Sequence, residues 1–303
     1  MIESIDQKTH MKLYAHPLPA YGCDCHVHVF GPFDRYPLDP KRAYSPGPAS
    51  VEDLNALLQG LGLKRVVVVQ ASPQGDDNAC LVDALQRINA SGELQARGVA
   101  VISGQTSDAQ LLEMHEAGVR GVRVNLESAG EHDPEVGRAK MRWAAQRVKP
   151  YGWHVQTYTT LQVIASMADT LMDLPVPVVI DHFGRADAAK GVQQVGFDRL
   201  LALVASGRAY VKLSAAQRIS DVADCEDARS IAQALVAANP QRMLWGTDWP
   251  HPGAWHGQPR SPDVIEPFHP IDDQRALQRI SEWVSAEQWL ALLQDNPARL
   301  YNF

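Results

Sequence analysis

A single (β/α)8 barrel is the fold class this sequence predicts, and three observations predict it. Short β-branched runs alternate with amphipathic segments eight times along the chain, two of them (VVVVQA and VPVVIDH) are almost uninterrupted apolar sequence, and no Pro/Gly/Ser linker divides the chain. Near-continuous apolar runs are the pattern of strands buried on both faces in a parallel sheet, and strand–helix repetition is what closes such a sheet into a barrel. The length, 303 residues, suits one barrel with its loops, a fold of about 250 residues. The competing architecture is a doubly wound open sheet. That fold announces itself by a Gly-rich turn opening a helix, whereas Gly60-Leu61-Gly62 precedes a strand here.

The first twenty residues are polar and proline-punctuated, so an N-terminal arm over 1–20 is expected ahead of a distorted barrel over 21–303. Strands are predicted at 23–30, 65–71, 96–102, 119–126, 153–158, 176–182, 209–214 and 243–249. Ser50-x-x-Asp53 predicts the start of a helix over 51–61, with Ser50 accepting an early backbone N–H. Helices over 77–89 and 108–117 follow, the second stopped by Gly118. Pro134 stands where a first helical turn tolerates it and opens 135–149. Further helices are predicted at 161–172, 196–205 and 226–238, with extra C-terminal helices at 273–283 and 286–294. The stretch 251–271 carries Pro and His after the eighth strand. A loop of that length is uncommon unless it covers a site or is disordered.

Composition narrows the function classes. Lys+Arg total 28 against 35 Asp+Glu, a formal net charge of −7, and the eleven histidines do not reverse that sign at neutral pH. Sequence-independent binding to nucleic acid or anionic membrane rests on phosphate neutralisation, so neither partner is expected. The four cysteines include Cys23 and Cys25 on one strand face, with no second pair to complete a zinc site. They read as small core residues of a reducing compartment. The N-terminus has no apolar signal-peptide region and no stretch is long enough for a membrane span, so a cytoplasmic protein is expected.

In a (β/α)8 barrel, side chains that do chemistry lie at the C-terminal strand ends. The first strand ends Asp24-Cys25-His26-Val27-His28. His26 and His28, two apart, point to one side of the sheet, and two imidazoles facing a barrel interior are costly unless bonded or functional. The sixth strand ends Ile180-Asp181-His182, with Asp181 and His182 expected to face opposite ways and His182 at the mouth. The eighth ends Thr247-Asp248-Trp249-Pro250-His251, in which Asp248 is almost the sole polar group, a helix-capping role being its competing reading. Arg123 interrupts the fourth strand, where an inward guanidinium requires a ligand carboxylate or a buried ion pair. Tyr158 ends the fifth strand, and Arg185 and Arg218 follow the sixth and seventh.

These strand ends, together with Val69-Gln70-Ala71-Ser72, Gly75, Asp77-Asn78, Gly152-Trp153-His154-Val155 and His182-Phe183-Gly184-Arg185, resemble the amidohydrolase superfamily over about residues 21 to 303. The branch they resemble is that of the 2-pyrone-4,6-dicarboxylate lactonases and related sugar-acid and sulfo-lactone hydrolases. The resemblance implies that Asp248 is the general base activating water, and that His26, His28 and His182 polarise the lactone carbonyl and stabilise the oxyanion. It implies that Tyr44, Ser72, Arg123, Tyr158 and Arg218 hold the substrate's carboxylates, with a small anionic organic-acid lactone as the partner molecule.

Many amidohydrolases bind a divalent metal through the His-x-His pair, a fifth-strand His and the eighth-strand Asp. Here the fifth-strand position is Tyr158, His154 lies near the start of that strand, and no lysine ends the fourth. No metal cofactor is therefore expected, while a cation at His26, His28 and Asp248 stays open. The lactonase pattern also carries a basic residue six positions beyond the fourth-strand Arg, where this chain has Ala129, with Glu127 close by. That departure argues against the dicarboxylate itself and leaves an anionic cyclic ester. Three alternatives remain at this point: a metal-dependent decarboxylase, a sugar-acid lactone isomerase, and a non-catalytic barrel that binds an organic acid.

Overall fold

The computed structural model describes residues 13–254 and 260–303. Cys23–Val27 (β1), Arg65–Val69 (β3), Gln95–Ala100 (β4), Val119–Asn125 (β5), His154–Tyr158 (β6), Val178–Ile180 (β7), Ala209–Ser214 (β8) and Met243–Gly246 (β9) form one eight-stranded sheet in that order. Each neighbouring pair is parallel. A parallel bridge between Val27 and Trp249 brings the last strand's exit back to the first. The fold is the expected (β/α)8 barrel. Two short strands not anticipated, Ser45–Pro46 (β2) and Ile265–Glu266 (β10), pair with each other. The second falls in the long stretch 251–271, of which 255–259 lie outside the described residues.

Local signals place the helices. Ser50 accepts the N–H of Asp53 at 3.1 Å while Asp53 accepts that of Ser50, so Val51–Leu61 (α1) starts with both ends of a reciprocal cap made. Ala79–Ala90 (α2) and Asp108–Ala117 (α3) follow, and Gly118 ends the latter at φ 107°, a left-handed geometry suited to glycine. Pro134–Val148 (α4), Leu161–Asp173 (α5) and Phe197–Ala205 (α6) lie close to their predicted bounds. Arg229–Ala238 (α7) begins later than expected, because Asp224 and Cys225 sit at φ 62° and 50° in a preceding short turn. After Asp273–Trp283 (α8) and Ala286–Leu290 (α9), one wide turn over 291–295 leads into Asn296–Tyr301 (α10).

The described part of the arm lies against these last helices. Ala15 N–H donates to Ser281 Oγ at 2.9 Å, and Trp289 Nε1 donates to the Pro17 carbonyl at 3.0 Å. Residues 1–12 of the predicted arm lie outside the described chain. Among the described residues no helix is long and apolar enough to cross a membrane.

The barrel interior is layered. Cys23, Cys25, Val67, Val99, Val179 and Leu244 pack with Tyr301 of α10 as an apolar lower layer. His154 joins that end of the barrel, edge-to-face on Tyr301 at 5.2 Å. Its ring fills the space over Gly121, where a Cβ would come within 2.2 Å of it.

A β-bulge then turns the first strand over. Between Asp24 and Val27 β1 advances three residues while β3 advances two. Strict alternation would put Cys23, Cys25 and Val27 on one face; the extra residue keeps both cysteines inside and brings His26 and His28 inside above them. Asp24 holds the bulge. Its carboxylate accepts the N–H of His26 at 3.0 Å, the N–H of Thr247 at 3.1 Å and the Thr247 hydroxyl at 2.7 Å. Gly246 makes room, since a Cβ there would meet His26 N at 2.7 Å. The seam of the barrel is thus tied beneath the strand ends that carry His26 and Asp248.

Candidate active site

A cavity of about 590 Å3 opens at the C-terminal ends of the strands. It is lined by His28, Tyr44, Ser72, Arg123, Tyr158, His182, Arg218 and Asp248, and His26 lies directly beneath. All nine residues singled out in the sequence therefore meet in one place. A cavity of similar size, about 610 Å3, lies elsewhere, between Arg35, Asp77 and Glu113, and contains none of them.

The centre of the site is one oxygen atom. Asp248 Oδ1 has His28 Nε2 at 3.5 Å, His26 Nε2 at 3.6 Å and His182 Nε2 at 3.7 Å. Neither Asp248 Oδ1 nor His26 Nε2 has a hydrogen-bond partner among the described residues, although both are buried. Two uncommitted polar atoms facing each other at the floor of a cavity mark a place for a reacting molecule. The backbone here is unusual: Asp248 sits at φ 70° and His182 at φ 49°, left-handed conformations that a non-glycine residue seldom adopts. The Asp248 N–H donates to the His26 carbonyl at 2.8 Å, which locks that geometry to the first strand.

Outer partners orient each ring. His28 Nδ1 is 2.7 Å from the Val69 carbonyl, which only accepts, so this nitrogen carries a proton. His182 Nδ1 meets Ser214 Oγ at 2.9 Å. Burial drives His182 down to about 3, and it drives His26 well below the usual histidine range with Lys212 adding to the effect. Both rings are neutral at pH 7. The second Asp248 oxygen is taken by Arg218, whose Nε donates to Oδ2 at 2.8 Å and whose Nη2 reaches the same atom. Burial raises the Asp248 carboxyl, yet the Arg218 guanidinium beside it holds it well below the usual carboxylate range.

Asp181 does not face away from His182 as expected. β7 ends at Ile180, and the left-handed turn at His182 swings that ring back over the barrel, where it tilts against His26 at 4.8 Å. Asp181 stays inside below it. Its Oδ2 accepts from Arg123 Nε at 3.3 Å and Gln156 Nε2 at 3.1 Å, while Oδ1 lies 3.3 Å from His26 Nδ1 and 3.7 Å from Lys212 Nζ. Burial works against this carboxylate, and the Lys212 and Arg123 cations beside it hold it well below its ordinary range. Arg123 accordingly makes the buried ion pair and also lines the cavity. Tyr158 lies between the guanidiniums of Arg123 and Arg185, 5.4 and 5.7 Å from its ring.

Sequence reasoning did not single out Lys212, Gln156 or Arg260. Lys212 had a signal, a lysine inside the apolar run AYVKLS; it is fully buried. Arg260, which stacks on Tyr44 at 3.5 Å and pairs with Glu266, comes from an irregular loop with no period to betray it.

Among the described residues, two groups of three buried side chains have the spacing to hold a metal ion: His26, His28 and Asp248, and His26, Asp181 and His182, each with ligand atoms within 4.8 Å of one another. Both depend on His26.

Comparison with known proteins agrees with this architecture. The amidohydrolase family profile matches residues 23–303. A 2-pyrone-4,6-dicarboxylate hydrolase of Comamonas testosteroni is 36% identical across 95% of this chain and 94% of its own length. A 4-sulfomuconolactone hydrolase of Hydrogenophaga intermedia is 33% identical across 94% of this chain and 89% of its own. The crystal structure of a putative 2-pyrone-4,6-dicarboxylic acid hydrolase from Pseudomonas putida superimposes with a TM-score of 0.78 at 32% identity, covering 94% of this chain and 98% of that one.

Proposed function

The chain belongs to the amidohydrolase family, and from that premise we propose that this enzyme opens a small carboxylated lactone with a water molecule activated by Asp248. The observation that carries the reading is the convergence of three imidazole Nε2 atoms within 3.5–3.7 Å of Asp248 Oδ1, under a cavity lined by arginines.

Each group has a task that its geometry suits. Water sits against Asp248 Oδ1, the free oxygen. His28, whose proton is committed to Val69, presents a lone pair to the same water when neutral. This modifies the expectation that all three imidazoles polarise the carbonyl, and leaves His26 and His182 to face it. As water attacks the ester carbon, its proton passes to Asp248. The carbonyl oxygen takes up negative charge next to His26 and His182, the kind of stabilisation usually worth most in acyl transfer. Collapse breaks the bond to the ring oxygen, which takes the proton back from Asp248, and the product is a hydroxy acid or its keto tautomer.

Tyr44, Ser72, Arg123, Tyr158 and Arg218 hold the substrate's carboxylate. The substrate class is narrower than in the two-carboxylate relatives. Ala129 stands where a cation is expected, and Glu127 lies 3.6 Å from the Arg185 guanidinium, occupying a charge that would otherwise serve a second carboxylate.

We propose further that the reaction is metal-independent. His26, His28 and Asp248 have the spacing to hold a divalent cation, which would supply Lewis-acid polarisation and a more acidic water. Against that assignment, Arg218 already neutralises Asp248 and the Lys212 ammonium lies 3.2 Å from His26. Tyr158 also occupies the fifth barrel strand's end, where many relatives place another ligand. The four cysteines are buried and unbridged, which suits a reducing compartment such as the cytoplasm.

A panel of lactones bearing one or two carboxylates, followed by proton release, tests the function. Turnover is expected on a monocarboxylate lactone and weaker turnover on a dicarboxylate. Carbon dioxide release without net ring opening would replace the reading with a decarboxylase.

A further inference from the structure

Lys212 is a charged side chain with no solvent exposure, and hydrolysis as described above makes no use of it. Burying an ammonium is expensive, so its partners explain its presence. Its Nζ donates to Gln156 Oε1 at 2.8 Å and lies 3.2 Å from His26 Nδ1. Gln156 is fixed in turn, because its Nε2 donates to Asp181 Oδ2 at 3.1 Å and so turns its oxygen towards Lys212. The lysine is held on the far side of His26 from the cavity.

His26 Nδ1 thus has two neighbours of opposite character. Lys212 is a donor without an acceptor atom; Asp181 Oδ1, 3.3 Å away, is an acceptor only. The hydrogen-bonding pattern favours Lys212. The contact with Lys212 has hydrogen-bond geometry, whereas Asp181 Oδ1 is left without a hydrogen-bond partner. An Nδ1 that accepts from an ammonium carries no proton, and the ring's single proton is then on Nε2. That atom faces Asp248 Oδ1 at 3.6 Å with no partner of its own.

We propose that Lys212 is a positioning residue that fixes His26 as the Nε2–H tautomer, making it a hydrogen-bond donor to the lactone carbonyl. His28 provides the contrast: the Val69 carbonyl takes its Nδ1 proton and leaves Nε2 as an acceptor. One strand therefore supplies two imidazoles of opposite polarity to the same site, and the difference lies in what each finds behind it. A His26 of the other tautomer would aim a lone pair at the developing oxyanion.

The donor role rests on the hydrolytic reading; the tautomer does not, and the experiment separates the two. Protein carrying 15N-labelled histidine is measured by NMR, with His26 assigned by its loss in His26→Gln. The expected result is a proton on Nε2 and none on Nδ1 of His26 in the wild type. Lys212→Met should move that proton to Nδ1, where Asp181 accepts it, and lower kcat about 100-fold, as loss of an oxyanion donor does, with KM much less affected. Asp181→Asn should leave the proton on Nε2. A wild-type proton on Nδ1 overturns the proposal even if neither variant folds, as does an unchanged tautomer in Lys212→Met. Retention of the Nε2–H tautomer without turnover on any lactone would sink the hydrolytic reading and with it the donor role, leaving only the tautomer assignment.

Discussion

Arg218 donates from Nε to Oδ2 of Asp248 at 2.8 Å, and this contact leaves Oδ1 as the uncommitted oxygen of the carboxylate. Oδ2 is engaged by the guanidinium, so only Oδ1 faces the three imidazoles. The same contact keeps the carboxylate ionised far into acid, because a neighbouring cation favours the charged form. A base whose protonation lies well below neutral is always in its working state at pH 7, at the cost of being a weak base. In the reaction proposed above, neutral rings around the carbonyl offset that weakness, rather than a raised affinity of the carboxylate for a proton.

Replacing Arg218 with Gln should therefore move the acid limb of kcat/KM upward. Removing the cation takes away a lowering influence and leaves burial, which raises the carboxyl. The measurement is the pH dependence of kcat/KM, which reports groups of the free enzyme. KM should rise as well, since Arg218 lines the cavity proposed to hold the substrate's anionic group. An unmoved acid limb would show that another group controls it.

Asp248→Asn keeps the shape of the side chain and removes its basicity. Turnover should fall by about 10²–10⁴, the usual contribution of a positioned acid–base group, while calorimetric binding of a non-hydrolysable carboxylate stays measurable. Near-normal kcat would take Asp248 out of the role of base.

The parts of this site that were legible in the sequence are those where period and position agree. His26 and His28 share a face because they are two apart, and Asp248 was visible as almost the sole polar group ending an apolar run. The bulge between Asp24 and Val27 left no such trace. Alternation alone does not predict that Cys23, Cys25, His26 and His28 all face inward, since the bulge is fixed by Asp24 reaching Thr247 across the sheet. Asp181 was misplaced for a related reason: alternation was carried one residue past the strand's end, into a left-handed turn. Lys212 was readable as a lysine in an apolar strand, but its partners come from three other strands or strand ends, which no local pattern reports.

Metal chelation should leave activity unchanged. Protein purified without chelator is expected to hold far less than one equivalent of zinc, and treatment with a strong chelator should not alter kcat. Stoichiometric zinc whose removal abolishes turnover, and whose return restores it, would replace the reading with His26, His28 and Asp248 as ligands.

Glu127→Gln should widen the substrate range. Glu127 lies 3.6 Å from Arg185, which also donates from Nη1 to the Arg218 carbonyl at 2.8 Å and so stays anchored when the carboxylate is removed. Both side chains are only about a quarter exposed, so the freed guanidinium would remain partly desolvated at the cavity wall. KM for a two-carboxylate lactone should fall, by roughly 5- to 30-fold if the gain is about 1–2 kcal/mol. KM for a one-carboxylate lactone should change much less. Equal changes for both would mean that Arg185 does not read the second carboxylate.

His154 provides a test of stability rather than of catalysis. It is buried at the far end of the barrel from the cavity, neither ring nitrogen has a hydrogen-bond partner among the described residues, and burial, helped by Lys212, drives it from 6.5 down to about 3. Between those values the unfolded chain carries a charged imidazole and the folded chain a neutral one. Unfolding then takes up a proton, so this residue's contribution to stability is lost as pH falls from about 6.5 towards 3 and is constant above. Over the whole interval the effect amounts to roughly 5 kcal/mol. His154→Phe keeps an aromatic ring against Tyr301 and removes the titration. Urea midpoints measured from pH 8 down to pH 4 should fall less steeply for the variant, with the two curves converging or crossing on the acid side. Parallel curves would mean that His154 is protonated, or partnered, in the folded protein.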